Sequence, residues 1–160
     1  MLRYVSYDIV FQEIPGEVSL AINISNCPNH CKGCHSLHLW NDYGEILDGN
    51  ALSGLLEKYG NAITCVCFMG GDAFPNQVEN LAVFIRKRSK ENIKVGWYSG
   101  KPNFPSCCLL SNFDYLKLGP YIERLGGLDS PGTNQRFYQI VNGAMEDRTS
   151  LFLKKKSVAF

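Results

Sequence analysis

Three cysteines lie within eight residues of this sequence, in the stretch CPNHCKGCH at residues 27–35. Three residues separate Cys27 from Cys31 and two separate Cys31 from Cys34, so a single short loop carries all three thiols. A structural zinc site has four protein ligands, and a 4Fe-4S cluster that only transfers electrons has four cysteines. Three local thiols therefore predict a metal centre with one open coordination position, which is typical of a site where a substrate binds the metal.

Zinc is an alternative that the spacing leaves open. A fourth zinc ligand is available in His30, His35 or His38, or in the distant pair Cys107 and Cys108. His30 lies inside the cysteine loop, and we interpret it as a group that shields a cluster or hydrogen-bonds to it. Adjacent cysteines give poor chelate geometry, so the sequence assigns no role to Cys107 and Cys108.

The cysteine count indicates the compartment. The chain has seven cysteines, an odd number that a secreted domain built on disulfides would avoid. Cys65 and Cys67 are two positions apart in an apolar run, so they share one face of a strand and are interpreted as buried, inert thiols. A reducing compartment fits this usage. Since no stretch is long enough to cross a membrane, we predict a cytoplasmic protein with no membrane partner.

The length of the chain limits the number of domains, and its net charge limits the kinds of partner. The 160 residues suffice for one domain and are too few for two. We predict a single domain at 1–160, with a metal loop at 27–34 and a flexible basic tail from about 150 to 160. Lys154, Lys155 and Lys156 in that tail are interpreted as solvated, or as a docking patch. The formal net charge of +1 gives no electrostatic argument for direct binding of nucleic acid.

Strands and helices alternate along the chain. Runs of strand length occur at residues 18–25, 63–69, 93–99, 115–118 and 137–141. One helix is predicted after Asp48 and a second from Asn76, each with apolar residues on one face. This order predicts an α/β fold with a mainly parallel sheet, in which ligands bind at the carboxyl ends of the strands. The cysteine loop, residues 70–72 and residues 98–100 are expected at that edge.

The loop Gly70-Gly71-Asp72 follows the second of these strands. By itself it is typical of a turn between a strand and a helix, with Asp72 as the helix cap. Together with the cysteine loop, it resembles the radical S-adenosylmethionine superfamily, in which CxxxCxxC precedes such a Gly-Gly-Asp loop. The resemblance implies a partial (βα) barrel of the radical S-adenosylmethionine type in a minimal single domain.

The superfamily resemblance also implies the ligands of two cofactors. A 4Fe-4S cluster would be bound by Cys27, Cys31 and Cys34, and its open iron by the amino and carboxylate groups of S-adenosylmethionine. Residues implied in cofactor binding are Gly33, Cys34, His35, Gly70, Gly71, Asp72 and Ser99. Gly33 would let the backbone approach the cluster or adenine, Gly70 and Gly71 would lie against the methionine moiety, and Asp72 would accept from its ammonium group. No catalytic residue beyond the cluster and S-adenosylmethionine is implied.

Further motifs narrow the resemblance. These are Asp8-Ile9-Val10 before Pro15-Gly16, Trp97-Tyr98-Ser99-Gly100, Gly119-Pro120-Tyr121-Ile122 and Gly132-Thr133-Asn134-Gln135-Arg136. Their order is similar to that in the activating proteins of anaerobic ribonucleoside-triphosphate reductase. The resemblance covers about residues 8–141 and implies an enzyme that cleaves S-adenosylmethionine reductively to a 5'-deoxyadenosyl radical. That radical would generate a glycyl radical on the reductase.

The implied partners are the large subunit of the anaerobic ribonucleotide reductase and an electron donor such as flavodoxin or ferredoxin. Three positions depart from the family pattern. The family has an arginine close to the position of Glu17, and this sequence has none there. His35 stands in place of tyrosine, and Ala73 in place of proline. Alternatives are another radical enzyme, an activase of a different glycyl radical protein, and a non-catalytic zinc or iron-sulfur binding module.

Overall fold

The computed structural model describes residues 1–88 and 92–153. Within these ranges the chain forms one eight-stranded sheet and two α-helices. The strands are β1 (Arg3–Val10), β2 (Ser19–Ile24), β3 (Glu45–Ile46), β4 (Cys65–Met69), β5 (Lys94–Tyr98), β6 (Tyr115–Leu118), β7 (Arg136–Val141) and β8 (Ala144–Asp147). The helices are α1 (Gly49–Tyr59) and α2 (Pro75–Arg88). Neither helix of the described ranges is long and apolar enough to cross a membrane.

The strand order across the sheet is β3-β1-β2-β4-β5-β6-β7-β8. The central strands β2, β4, β5 and β6 are parallel, whereas the outer pairings are antiparallel. The described sheet therefore has three parallel and four antiparallel pairings, and the prediction of a mainly parallel sheet is wrong outside its centre. The connections from β1 to β2 and from β7 to β8 are too short for a crossover, so these strands pair antiparallel.

Both predicted helices are confirmed. α1 follows Asp48, whose carboxylate accepts a hydrogen bond from the Ala51 amide at 2.9 Å and so forms an N-cap. α2 begins at Pro75, a residue that the first turn tolerates because its N–H would be unpaired there. The last turn of α2 carries Arg86, Lys87 and Arg88, where the helix dipole favours cations.

The two helices cover one face of the sheet. Their buried residues Leu52, Leu55, Val78, Leu81 and Ile85 pack with the strand residues Leu20, Ile22, Val66, Phe68, Val95, Trp97 and Leu116. Each fully buried side chain of this kind stabilises the fold by roughly 1.5–3 kcal/mol. This core fixes the positions of the central strands, and therefore of the loops that follow them.

The opposite face of the sheet is closed by the connection between β1 and β2. The buried cluster on this face consists of Ile14, Cys65, Cys67, Tyr115 and Phe137. Gly96 makes room for it, because a Cβ atom there would lie 2.5 Å from Ile14 Cδ1. The Tyr98 hydroxyl donates to the Glu13 carbonyl and ties the connection to β5. The chain's own side chains thus fill the part of this face around Ile14.

The described C-terminal segment packs against this second face. Thr149–Phe152 form a 3-10 turn, and the ring centroids of Phe152 and Phe137 are 4.9 Å apart. The Thr149 hydroxyl accepts a hydrogen bond from the Phe137 amide at 2.9 Å. The predicted tail therefore cannot begin at 150, because residues 150–152 belong to this packed turn. Lys154, Lys155 and Lys156 lie outside the described residues.

Candidate functional site

The carboxyl ends of β2, β4, β5 and β6 meet at one edge of the sheet, where a cavity of about 210 Å³ opens. The three loops expected at this edge all contribute to it. Its lining includes Cys27, Cys31, Cys34, Gly70, Asp72 and Ser99. The parallel centre of the sheet is what brings these residues together, because all of its strands end on the same side.

The three cysteines of the loop are free, half-buried thiols. The Ser36 amide donates to Cys34 Sγ at 3.3 Å, and the Asn29 side-chain amide donates to Cys27 Sγ at 3.7 Å. N–H groups in this position are suited to donate to the sulfur of a metal-bound cysteine. Among residues 1–88 and 92–153, no three Cys, His, Asp or Glu side chains form a site for a single ion. In a 4Fe-4S cluster each cysteine binds a different iron, so the sulfurs need not converge on one point.

Asp72 connects all three loops. Its Oδ1 accepts a hydrogen bond from the Ser99 hydroxyl at 2.6 Å, and its Oδ2 accepts from Asn29 Nδ2 at 2.6 Å and from the Gly100 amide at 2.8 Å. None of these three donors belongs to α2, so the interpretation of Asp72 as a helix cap is wrong. Asp72 instead holds the cysteine loop against the loop after β5. The sequence indicated Asp72 but not Asn29, whose importance depends on a contact between distant segments.

Ser99 has only 1 % of its surface exposed. Its hydroxyl donates to Asp72 and accepts a hydrogen bond from the Lys101 amide at 3.0 Å. The Ser99 hydroxyl thus acts both as a donor and as an acceptor within the protein. Ser99 orients Asp72 and stabilises the start of the loop after β5.

Lys117 is a cavity residue that the sequence did not indicate. Its ammonium group donates to the Gly119 carbonyl at 2.8 Å and to the Ser99 carbonyl at 3.5 Å. Burial lowers the pKa of Lys117 to about 8, although the charges of Asp72 and the three loop cysteines act in the opposite direction. The cavity therefore has a cationic group on β6 and an anionic group after β4.

Two further cavity residues were not selected from the sequence as site residues. The buried indole Nε1 of Trp40 has no hydrogen-bond partner among the described residues, and the His30 ring stacks on the Trp40 ring at 4.6 Å. Gln135, the middle residue of Asn134-Gln135-Arg136, also lines the cavity. An indole N–H can only donate, so Trp40 carries an unpaired, buried donor in the wall of the cavity.

Three predicted cofactor residues lie elsewhere. Of the described residues that line the cavity, none is Gly33, His35 or Gly71. Gly33 lies against the Glu123 side chain, and the exposed His35 packs its ring 5.7 Å from that of Tyr121. Gly71 has a φ of +95°, and a Cβ atom there would lie 2.5 Å from Val78 Cγ2 of α2. Its lack of a side chain thus serves helix packing.

Glu17 and Ala73 are not among the described residues that line the cavity. Glu17 lies at the opposite end of the parallel strands from the thiols, where its carboxylate accepts from Lys94 Nζ at 2.5 Å and from the Tyr115 hydroxyl at 2.7 Å. Nothing in the structure explains Ala73, which lies two residues before the start of α2 at Pro75. Glu17 therefore serves a structural ion pair that is remote from the cavity.

Cys65 and Cys67 are fully buried on the face opposite the helices, which confirms their interpretation as buried thiols. Burial raises the pKa of Cys65 to about 12 and raises the pKa of Cys67 well above its ordinary value. Both groups are therefore held as neutral thiols.

A model of the 4Fe-4S single cluster domain family matches residues 15–115, which is more than half of the chain. The chain belongs to this family and is an iron-sulfur protein. The matched segment contains the cysteine loop, Gly70-Gly71-Asp72 and the whole of β5. No curated protein and no solved structure matches the chain.

The residues present fit a 4Fe-4S cluster. Cys27, Cys31 and Cys34 supply three soft thiolate ligands on one loop, and two N–H groups already donate to their sulfurs. Hydrogen bonds of this kind set the potential of an iron-sulfur centre.

Proposed function

We propose that the chain is a radical S-adenosylmethionine enzyme that activates the large subunit of anaerobic ribonucleotide reductase by generating a glycyl radical on it. The observation that carries this proposal is that the three-thiol loop and Asp72 line the same cavity. A cluster with three cysteine ligands keeps one iron open for a ligand. The sequence motifs between residues 8 and 141 support the choice of partner.

The chain's own residues would hold the amino-acid end of S-adenosylmethionine. A carboxylate has about four acceptor sites, and Asp72 uses three of them within the protein. One site remains for an ammonium group. The ammonium of Lys117 lines the same cavity and is the counterpart for a carboxylate. Gly33, His35 and Gly71 would shape the surrounding loops.

The bound cofactors would supply the radical chemistry. A 4Fe-4S cluster held by Cys27, Cys31 and Cys34 would supply one-electron reduction of bound S-adenosylmethionine, and the carbon-centred radical so produced would be the hydrogen acceptor for a glycine Cα of the partner. The chain's contribution is to fix the position of S-adenosylmethionine and to limit access of water. Because the cavity is only about 210 Å³, the partner would complete the enclosure around its own glycine.

An electron donor such as flavodoxin or ferredoxin would reduce the cluster. We further propose that the described sheet is a minimal form of the partial (βα) barrel of radical S-adenosylmethionine enzymes, with β2, β4, β5 and β6 as its parallel part. The reducing, cytoplasmic compartment inferred from the cysteines suits an oxygen-sensitive cluster.

A non-catalytic iron-sulfur module is the second candidate function. One observation favours it: the Asp72 carboxylate and the Ser99 hydroxyl are engaged in hydrogen bonds within the protein. In that case Asp72 would only fasten the cysteine loop to the sheet. The two candidates differ in whether an iron of the cluster binds S-adenosylmethionine.

The test is electron paramagnetic resonance of the anaerobically reconstituted, reduced protein with and without S-adenosylmethionine. We expect the cluster signal to change when S-adenosylmethionine is added, and 5'-deoxyadenosine to form under reducing conditions. A cluster whose spectrum ignores S-adenosylmethionine would favour the non-catalytic module. If a glycyl radical signal appears on a different glycyl radical protein and not on the reductase, that protein is the partner instead of the reductase.

A matched pair of cysteine variants locates the cluster. Cys31→Ala removes a proposed ligand and is expected to abolish cluster assembly. Cys65→Ala removes a buried thiol on the far face and is expected to leave the iron content intact. Equal losses in the two variants would contradict the ligand assignment.

A further inference from the structure

Cys107 and Cys108 form a close pair of thiols outside the cavity. They occupy a β-turn in which the Cys108 amide donates to the Pro105 carbonyl at 3.1 Å. The two sulfur atoms are 3.8 Å apart. Cys107 is exposed, whereas Cys108 is buried with 8 % of its surface accessible. One thiol of the pair is thus accessible to reagents in solution, and the other lies directly behind it.

Cys108 is held at the start of α2. Its sulfur donates to the Pro75 carbonyl at 3.6 Å and belongs to the core beneath the helices. Burial and the adjacent Cys107 thiol together raise the pKa of Cys108 to about 12. Cys108 therefore stays protonated at neutral pH, and the exposed Cys107 is the first of the two that a reagent meets.

We propose that Cys107 and Cys108 are a modification site. The two thiols oxidise to a vicinal disulfide by exchange with a small-molecule disulfide such as glutathione disulfide. The Cys107 thiolate attacks one sulfur of the reagent, which forms a mixed disulfide and releases one thiolate. Cys108 loses its proton to solvent and attacks the Cys107 sulfur, which closes the ring and releases the second thiol. Two protein thiols are oxidised and one reagent disulfide is reduced to two thiols.

The first step prepares the second. Capping Cys107 removes its thiol from beside Cys108, and with it one of the causes that raise the pKa of Cys108. The attacking sulfur is already 3.8 Å from its target, and ring closure brings the two sulfurs to a bonding distance of about 2.05 Å. Adjacent Cα atoms lie about 3.8 Å apart, below the usual range of about 4.4–6.8 Å for a disulfide. Such a bond is easily reduced again, which makes the modification reversible.

The oxidation would be transmitted to the loop that carries Asp72. A Cys108 sulfur in a disulfide has no proton to donate, so its hydrogen bond to the Pro75 carbonyl is lost. Pro75 is three residues after Asp72, and both line a hollow of about 340 Å³ together with Phe104 and Pro105. The disulfide would therefore loosen the first turn of α2. Formation of the disulfide does not depend on the proposed function, and only an effect on S-adenosylmethionine affinity rests on it.

Peptide mapping tests the proposal on the full-length, cluster-loaded protein. The reduced protein is treated anaerobically with glutathione disulfide, the remaining thiols are alkylated, and the protein is digested with trypsin. The tryptic peptide at residues 95–117 contains Cys107 and Cys108 and no other cysteine. We expect this peptide to become two hydrogens lighter, without alkylation or a glutathione adduct, and to revert with a reducing thiol.

Two variants distinguish the steps. Cys108→Ser removes the resolving thiol, so Cys107 is expected to retain a stable glutathione adduct. Cys107→Ser leaves only the buried thiol, and the peptide is expected to remain unmodified. The proposal is overturned if wild type accumulates the adduct to the same extent as Cys108→Ser, or if neither protein reacts.

Hydrogen exchange supplies a second readout that involves neither the cluster nor catalysis. In oxidised wild-type protein, the amides of the first turn of α2 are expected to exchange faster than in the reduced protein. Those of α1 serve as the internal control and are expected to be unchanged. Identical exchange in α2 before and after oxidation would refute the transmission to Asp72.

Discussion

The side-chain amide of Asn29 donates to the Asp72 carboxylate at 2.6 Å across 43 positions of sequence. The same nitrogen lies 3.7 Å from Cys27 Sγ. One side chain thus contacts a proposed cluster ligand and the carboxylate that would hold S-adenosylmethionine. A change in the position of the cysteine loop is therefore transmitted directly to Asp72.

Asn29→Ala tests this connection. The variant removes a hydrogen bond to a charged group, for which a loss of about 1.5–3 kcal/mol is typical, so S-adenosylmethionine affinity is expected to fall roughly tenfold or more. Loss of the N–H···S contact is expected to make the cluster potential more negative. Redox titration and ligand titration monitored by electron paramagnetic resonance measure both effects. Asn61→Ala, on the surface, is the control and is expected to change neither quantity.

Lys117 gives a prediction of pH dependence. Burial lowers its pKa to about 8, so its positive charge is lost as the pH rises through that value. S-adenosylmethionine affinity of wild type is expected to fall between pH 7 and pH 9, on the order of tenfold. Lys117→Arg keeps its charge in this range and is expected to show a smaller decrease, whereas Lys117→Met binds weakly throughout. Equal pH profiles for the wild type and the arginine variant would exclude this role for Lys117.

Gly96→Ala tests how the face opposite the helices is closed. The added methyl group meets Ile14 Cδ1, and overpacking of this kind destabilises a core by about 1–3 kcal/mol. Gly54→Ala is the matched control, because a Cβ atom there meets nothing within 4 Å and alanine in a helix stabilises by roughly 0.5–1 kcal/mol. Urea unfolding measures both free energies. If Gly96→Ala is as stable as wild type, Ile14 does not occupy the space described.

Glu17→Gln tests the ion pair between Glu17 and Lys94. Burial alone would raise the pKa of Glu17, but hydrogen bonds from Lys94, Thr64 and Tyr115 outweigh it and lower the pKa below its ordinary value of 4.5. The stability that Glu17 contributes is therefore present above pH 4.5 and lost as the pH falls through the lowered value. We expect Glu17→Gln to reduce the unfolding free energy by about 1–3 kcal/mol at pH 7.

That difference is expected to shrink in acid, measured by urea unfolding of the cluster-free full-length chain. On the alkaline side, the hydrogen bond to Glu17 raises the pKa of Lys94, so the contribution of Lys94 persists at pH 7 and disappears only above its raised pKa. A difference between variant and wild type that is the same at pH 3 and pH 7 would contradict the assignment.

The central strands could be predicted because they are continuous apolar runs of strand length, buried on both faces, and both helices because their apolar residues repeat at helical spacing. The strands β1, β3 and β8 were missed for a physical reason. β3 has two residues, and all four residues of β8 are exposed, so neither carries a buried pattern. Because these antiparallel outer strands were missed, the sequence overstated the parallel character of the sheet.

Site residues could be predicted from the sequence where several reactive side chains lie close together in one short segment. Cys27, Cys31 and Cys34 are recognisable from their spacing, and Asp72 from the glycines before it. Asn29, Trp40 and Lys117 were missed because an asparagine, a tryptophan or a lysine acquires a role only through what the fold places beside it. For Gly71 the sequence also does not reveal that a side chain at this position would meet Val78 of α2.

The insertion of Ile14 against Gly96 leaves the thiols with one direction of approach. A molecule cannot thread along the sheet face that Ile14 occupies, so it has to arrive end-on, past the tips of the central strands. Under the proposed function, a macromolecular substrate would have to offer its reacting atom at the apex of a narrow, protruding segment. The shape of the target, as well as its chemistry, would then select which proteins such an enzyme could modify.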